Sequence, residues 1–144
     1  MTLKSIFVWV FFMGAVPFMS SCSLDNNGVA FHFVNLQIAA VEMPATFALY
    51  ETYQIKVTYI RPSNCTIFEG FDFTKSQTTG ITVVAVGSVL DDESCAKIPD
   101  EVVEYFTFTC NYDNPYIFRF WSGINENGND EFLEYEVPVI ADSP

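Results

Sequence analysis

"LYETYQIKVTYI" (residues 49–60) carries the clearest periodicity in the chain. Tyr53, Ile55, Val57 and Tyr59 fall on one side, and Gln54, Lys56 and Thr58 on the other. A repeat of two puts successive side chains on opposite faces, so this is a strand with one face in a core. Arg61-Pro62-Ser63-Asn64 then supplies the residues of a turn.

The same rhythm extends in both directions. Upstream, Val34, Leu36 and Ile38 alternate with Asn35 and Gln37 on a predicted first strand, which Met43-Pro44-Ala45 breaks. Downstream, "CTIFEGFDF" (65–73) is a short strand with Gly70 as its predicted bulge. "GITVVAVGSVL" (80–90) is apolar on both faces, which suits a central strand. An acidic loop over 91–100, with a short turn near Ser94 to Ile98, leads into "EVVEYFTFTC" (101–110). The turn "NYDNP" separates that from "YIFRFWSG" (116–123). In "EFLEYEVPV" (131–139), Leu133, Tyr135, Val137 and Val139 point inward and Glu134 and Glu136 outward. Pro138 has no N–H to give a ladder, which places this strand at an edge. About seven strands at roughly ten-residue spacing predict an all-β fold: a single immunoglobulin-like antiparallel β-sandwich over 30–144. No helix of normal length is expected.

The chain starts differently. Lys4 precedes an unbroken apolar run, "IFVWVFFMGAVPFM" (6–19). The run is shorter than the roughly 20 residues a spanning helix needs, and with its basic start it reads as a secretory leader over 1–21. Ser20-Ser21-Cys22 closes it. That ending resembles the bacterial lipobox, with Met19 in place of the usual Leu and Ser21 in place of Gly or Ala. The resemblance implies cleavage before Cys22 and lipidation of its thiol. Three acyl tails exceed the two signals that stable membrane anchoring takes. Ser23 to Gly28, "SLDNNG", then forms a tether, so residues 22–29 are lipidated cysteine plus linker. Lipoprotein sorting by resemblance reads Ser23, not Asp, after the cysteine, which favours the outer membrane. Asp25 resembles the acidic tract that exports such proteins to the cell surface. Both the periplasmic face and the surface fit.

From Cys22 onward there are eighteen Asp and Glu against five Lys and Arg. So acidic a surface repels nucleic acid and anionic headgroups, and it keeps a small domain soluble. No nucleic-acid partner is expected. Frequent Phe and Tyr exclude disorder.

With Cys22 assigned to lipid, Cys65, Cys95 and Cys110 remain. If successive strands run up and down, Cys65 and Cys95 fall at one end and Cys110 at the other. The expected disulfide is therefore Cys65–Cys95, with Cys110 a buried thiol. No CxxC or Cys/His spacing points to a metal or redox site.

His32 is the only histidine and sits near the tether, without the Gly-x-Ser-x-Gly context of a nucleophile elbow. "GINENGNDEFLE" (123–134) places Asn125, Asn127, Gly128 and Glu134 at positions three, five, six and twelve of a calcium loop. Its first position is Gly rather than Asp, and its flanks are strands. A hairpin using Asn and Gly for positive φ is the favoured reading. Asp91-Asp92-Glu93 reads as a solvated loop, and Asp100, Glu101 and Glu104 lack the concave setting of a catalytic pair. Asn64-Cys65-Thr66 matches a glycosylation sequon, to which the resemblance to a bacterial lipobox gives no meaning. If Tyr116, Phe118 and Phe120 face inward, Ile117, Arg119 and Trp121 face outward, and Phe132 joins them from the last strand. Arg119, Trp121 and Phe132 are the candidate interface, with cross-strand packing as the plainer account.

Over residues 48–139 the chain resembles small uncharacterised lipoproteins of Flavobacteria and other Bacteroidota. The resemblance lies in "YIFRFWSGINENGNDEFLEYEVPV", "CTIFEGFDF" and "DDESC". It implies no activity and assigns no functional residue. The expected function is a non-enzymatic binding or assembly module of the outer membrane, without cofactor. Its expected partners are the membrane itself and an envelope protein or glycan. The alternative is a calcium- or glycan-binding surface module using the 123–134 loop.

Overall fold

The structure is a computed structural model that describes residues 28–140. The expected leader, the expected lipidation site Cys22 and the expected tether up to residue 27 lie outside the described residues. Ten strands follow in order: β1 Phe31–Leu36, β2 Ile38–Glu42, β3 Phe47–Ala48, β4 Thr52–Arg61, β5 Thr66–Ser76, β6 Gly80–Leu90, β7 Asp100–Thr109, β8 Tyr116–Ile124, β9 Asp130–Val137 and β10 Val139–Ile140. The described residues contain no helix, hence none long and apolar enough to cross a membrane.

β2, β4 and β7 form a three-stranded antiparallel sheet in that order. It faces a five-stranded sheet built on β6, the strand whose two apolar faces predicted a central place. β6 pairs with β5 along one edge. Its other edge is shared: β1 takes Ala85 to Leu90, and β8 takes Gly80 to Val83. β9 completes the sheet beside β8 as an edge strand, as Pro138 predicted.

The alternation of β4 holds in the fold, with Ile55, Val57 and Tyr59 buried and Gln54 exposed. Leu36, Ile38, Phe47, Val83, Phe118, Phe120 and Val137 join them in one core. Each fully buried side chain of this size contributes roughly 1.5–3 kcal/mol by leaving water. Gly87 is fixed by that packing: a Cβ there would lie 2.9 Å from Leu36 Cδ1 and 2.9 Å from the Ile67 carbonyl oxygen. The predicted bulge is present between Phe68 and Gly70.

Three features depart from the sequence reading. The predicted first strand is two, parted at Gln37. Leu36 pairs with Ala85 in the large sheet, and Ile38 with Tyr59 in the small one. The Gln37 carbonyl accepts from Ile60 N at 2.8 Å at the crossing. Leu36 and Ile38 are both buried, because the inner faces of the two sheets look at each other. The alternation therefore continues unbroken through a change of sheet. Second, the β6–β8 pair is parallel where antiparallel pairing was expected. The chain leaves β6 for β7 in the other sheet before returning as β8. Third, β3 and β10 form a small parallel pair of their own. It is clamped by Phe47 N donating to the Pro138 carbonyl at 2.9 Å.

Cys65 and Cys95 are disulfide-bonded, with Cα atoms 5.6 Å apart, tying the start of β5 to the loop after β6. Cys110 is a buried free thiol at the end of β7. Both match the expectation. Burial pushes the Cys110 thiol pKa up, which favours its neutral form.

Candidate functional site

β8 and β9 form an antiparallel ladder in which Arg119 faces Glu134 and Trp121 faces Phe132. Strand alternation sends Tyr116, Phe118 and Phe120 into the core, which leaves Arg119 and Trp121 on the outer face. Arg119 lies over the Phe132 ring, its Cζ 4.3 Å from the ring centroid. Its Nε is 3.4 Å from Glu134 Oε2. The Trp121 indole N–H donates to Asp130 Oδ1 at 2.8 Å. The structure thus brings the three candidate interface residues together and ties them through cross-strand partners. An exposed cation–π contact of this kind is worth about 0.5–1 kcal/mol, so the patch adds little to stability.

Beside Trp121 is a feature the sequence did not disclose. β1 and β8 share one edge of β6, so the two strands must part where they meet. The fork holds a cleft of about 320 Å3 lined by Asn35, Gln37, Pro62, Trp121 and Ile124. The Gln37 side chain packs on the backbone of Gly123, which sits at the bulge in β8. Two carboxamides next to an indole can hydrogen-bond and stack at once. The only sequence signal was Gln37, an amide in the middle of an apolar alternation.

The Gly123–Glu134 segment folds as the favoured hairpin. Asn125 organises it: its side-chain oxygen accepts from Asn127 N and Asn129 N, both at 3.0 Å. Its backbone closes the turn through Asn125 N to the Asn129 carbonyl and Gly128 N to the Asn125 carbonyl, both at 2.9 Å. Within this segment positive φ falls on glycine only, with Gly128 at 79°, so the asparagines serve as hydrogen-bonding residues and not, as expected, for their backbone. The calcium candidates do not converge. Asn125 Oδ1 is used by the loop's own amides, and Glu134 is drawn across the sheet to Arg119.

At the disulfide end, His32 Nδ1 is 2.9 Å from Asp91 Oδ1. They line an open hollow of about 520 Å3 with Ser63, Asp92, Glu93 and Lys97. The Ser63 hydroxyl is bonded to Thr66 Oγ1 at 2.9 Å, not to His32. A nucleophile–base hydrogen bond, the signature of an activated serine, is therefore not formed here. Asp92 caps the following turn by accepting from Ser94 N at 2.8 Å, which holds its carboxyl below the usual carboxylate range. Asp100 is likewise held low by Arg61, whose Nε donates to it at 2.8 Å. Glu101 and Glu104 lie beside Asp100 on β7, which stands at the edge of the small sheet.

Compared with known proteins, the chain matches no family model, no curated protein and no solved structure.

Proposed function

We propose that the protein is a non-enzymatic binding or assembly module, held on the bacterial outer membrane by lipid at Cys22. The observation that carries this reading is Ser20-Ser21-Cys22 at the end of a short apolar run, followed by a small polar tether. The cysteine arithmetic supports it. Cys65 and Cys95 are bonded to each other and Cys110 is buried, so the folded domain offers Cys22 no disulfide partner. The start of the domain supports it too. The six tether residues reach at most about 20 Å. Directly after them Val29, Phe31 and Phe33 stand exposed, where a membrane-anchored chain would keep them beside lipid. The immunoglobulin-like character of the sandwich belongs to the same proposal. It is supported by two facing, mainly antiparallel sheets with turns at regular spacing.

Metabolic labelling with an alkyne-bearing palmitate tests the anchor. The wild-type chain should take up label and sediment with membranes, and Cys22→Ser should lose the label. Label retained by the serine variant would refute the anchor. Protease treatment of intact cells then separates the periplasmic face from the surface.

A glycan-binding surface module is the second reading, favoured by the fork cleft with Trp121, Asn35 and Gln37. Aromatic faces with amide donors beside them suit sugar rings. Trp121 fluorescence titrated with envelope oligosaccharides would support this reading if it shifts in the wild type and not in Gln37→Ala.

A further inference from the structure

The sandwich is left open along one long side. β5 ends the large sheet there and β7 ends the small one. Among the described residues no backbone hydrogen bond joins these two strands. Only side chains bridge them: the Phe71 and Phe106 rings are 5.4 Å apart, and the Phe73 and Phe106 rings 5.1 Å. Phe106 and Phe108 point inward along β7 yet are only half-buried, and Phe73 is 45% exposed. Inward-facing phenylalanines that stay wet are costly, since each forgoes part of the roughly 1.5–3 kcal/mol that full burial would give.

These rings wall a cleft of about 320 Å3, with Ile81 and Phe118 at its base. That is at the small end of the roughly 300–1,000 Å3 typical of ligand pockets, enough for one slender chain. Thr107, Thr109, Asn111 and Lys75 line its polar parts. The cation is the informative residue. The chain carries eighteen carboxylates, and none is among the residues lining this cleft. Lys56, Arg61 and Arg119 are each paired with an acidic partner, whereas Lys75 and Lys97 make no ion pair among the described residues; Lys97 shares its hollow with Asp91, Asp92 and Glu93, and Lys75 alone lines a cleft without a carboxylate. A free ammonium beside an aromatic slot complements a ligand with an apolar tail and a negative head.

We propose that the cleft between β5 and β7 binds a single-chain amphiphile with an anionic head group. Its tail lies against Phe73, Phe106 and Phe108, and its head meets Lys75. This site is separate from the lipid at Cys22 and stands whether or not that anchor is confirmed.

Photolabelling of the full chain tests the assignment. The probe is decanoic acid with a diazirine at the chain terminus, alongside the matching decanol. The acid should label peptides containing residues 73–81 and 106–118, and unlabelled decanoate should compete. Lys75→Gln should cut labelling by the acid about fivefold, the scale of one exposed charge pair, and leave the alcohol unchanged. Phe73→Ser should weaken both about fivefold, for half a phenylalanine's burial. Both side chains are exposed, so both variants should fold. Label spread over other peptides, label that decanoate does not displace, or acid labelling indifferent to Lys75→Gln would each overturn the proposal.

Discussion

The two long sides of the sandwich are built from similar residues and closed in different ways. On one side β9 stands over β2, and the chain's own backbone seals the gap. The β3–β10 pair bridges the sheets there, with Phe47 N bonded to the Pro138 carbonyl at 2.9 Å. Tyr135 adds a long hydrogen bond from its hydroxyl to the Val41 carbonyl at 3.4 Å. On the other side β5 stands over β7, and only phenylalanine rings meet. Phe47 on the sealed side is fully buried, whereas Phe73 on the open side is 45% exposed. Aromatic content alone does not close a seam. Backbone groups that must be paired do so, because leaving them unpaired in the interior costs as much as a lost hydrogen bond.

The sharpest way to break this contrast is Phe47→Ala. Its ring touches those of Tyr53, Phe108, Tyr116 and Phe118, at centroid distances from 4.7 to 6.2 Å. Truncation should cost about 3–5 kcal/mol, the range for a buried aromatic that leaves a cavity. Urea unfolding followed by circular dichroism would show the midpoint fall with the slope unchanged. A loss near 1 kcal/mol would mean that the sealed side is no better packed than the open one.

Next in size is the disulfide. Cys65 and Cys95 are 30 residues apart, and opening that loop should cost about 3–4 kcal/mol on chain-entropy grounds. Unfolding of Cys65→Ser/Cys95→Ser against the oxidised wild type measures it. Thiol counting gives the complement: the unreduced folded protein should alkylate at neither residue, and at Cys110 only after denaturant exposes it. Alkylation of Cys65 in unreduced protein would remove the bridge from the account.

Phe73→Ala completes the contrast at the open side. With nearly half its surface already in water, it should cost about 1 kcal/mol. A loss as large as that of Phe47→Ala would show that the open seam carries the core after all.

Much of this contrast could be foreseen from local pattern, and part could not. The alternation of Tyr53, Ile55, Val57 and Tyr59 fixed β4 and its inward face. The two apolar faces of residues 80–90 fixed β6 as central, and strand parity placed Cys65 and Cys95 at one end. Arg119, Trp121 and Phe132 meet as cross-strand neighbours on the outer face, which alternation alone predicts. What escaped was partner choice, which is non-local. Alternation passes unchanged through the sheet switch at Gln37, because Leu36 and Ile38 face the same interior from opposite layers. The parallel β6–β8 pair, the fork cleft it creates and the open β5–β7 seam all depend on which edges meet. A run of side chains does not encode that locally. Phe73 and Phe106 look like ordinary core positions in sequence, and they wall a cleft because no strand among the described residues covers them.

The smallest expected effect concerns the hold on β7, the strand that borders the open seam. Arg61 on β4 donates to Asp100 at the start of β7, Nε to Oδ1 at 2.8 Å. That hydrogen bond, reinforced by the charge, lowers the Asp100 pKa and raises that of Arg61. A carboxylate depressed in the folded state binds its proton less readily there than in the unfolded chain. Its stabilisation is therefore complete above the unfolded value of about 3.9, and it is lost as pH falls through the lower folded value. Arginine stays charged throughout this window, so the pH dependence belongs to Asp100 alone. Both side chains are well exposed, so solvent screening keeps the effect small. Arg61→Gln should lie slightly below wild type in melting temperature at neutral pH, and the gap should close as pH drops below 4. A gap that persists unchanged into strong acid would assign the Arg61 contribution to packing of its side-chain stem rather than to the ion pair that pins β7 in place.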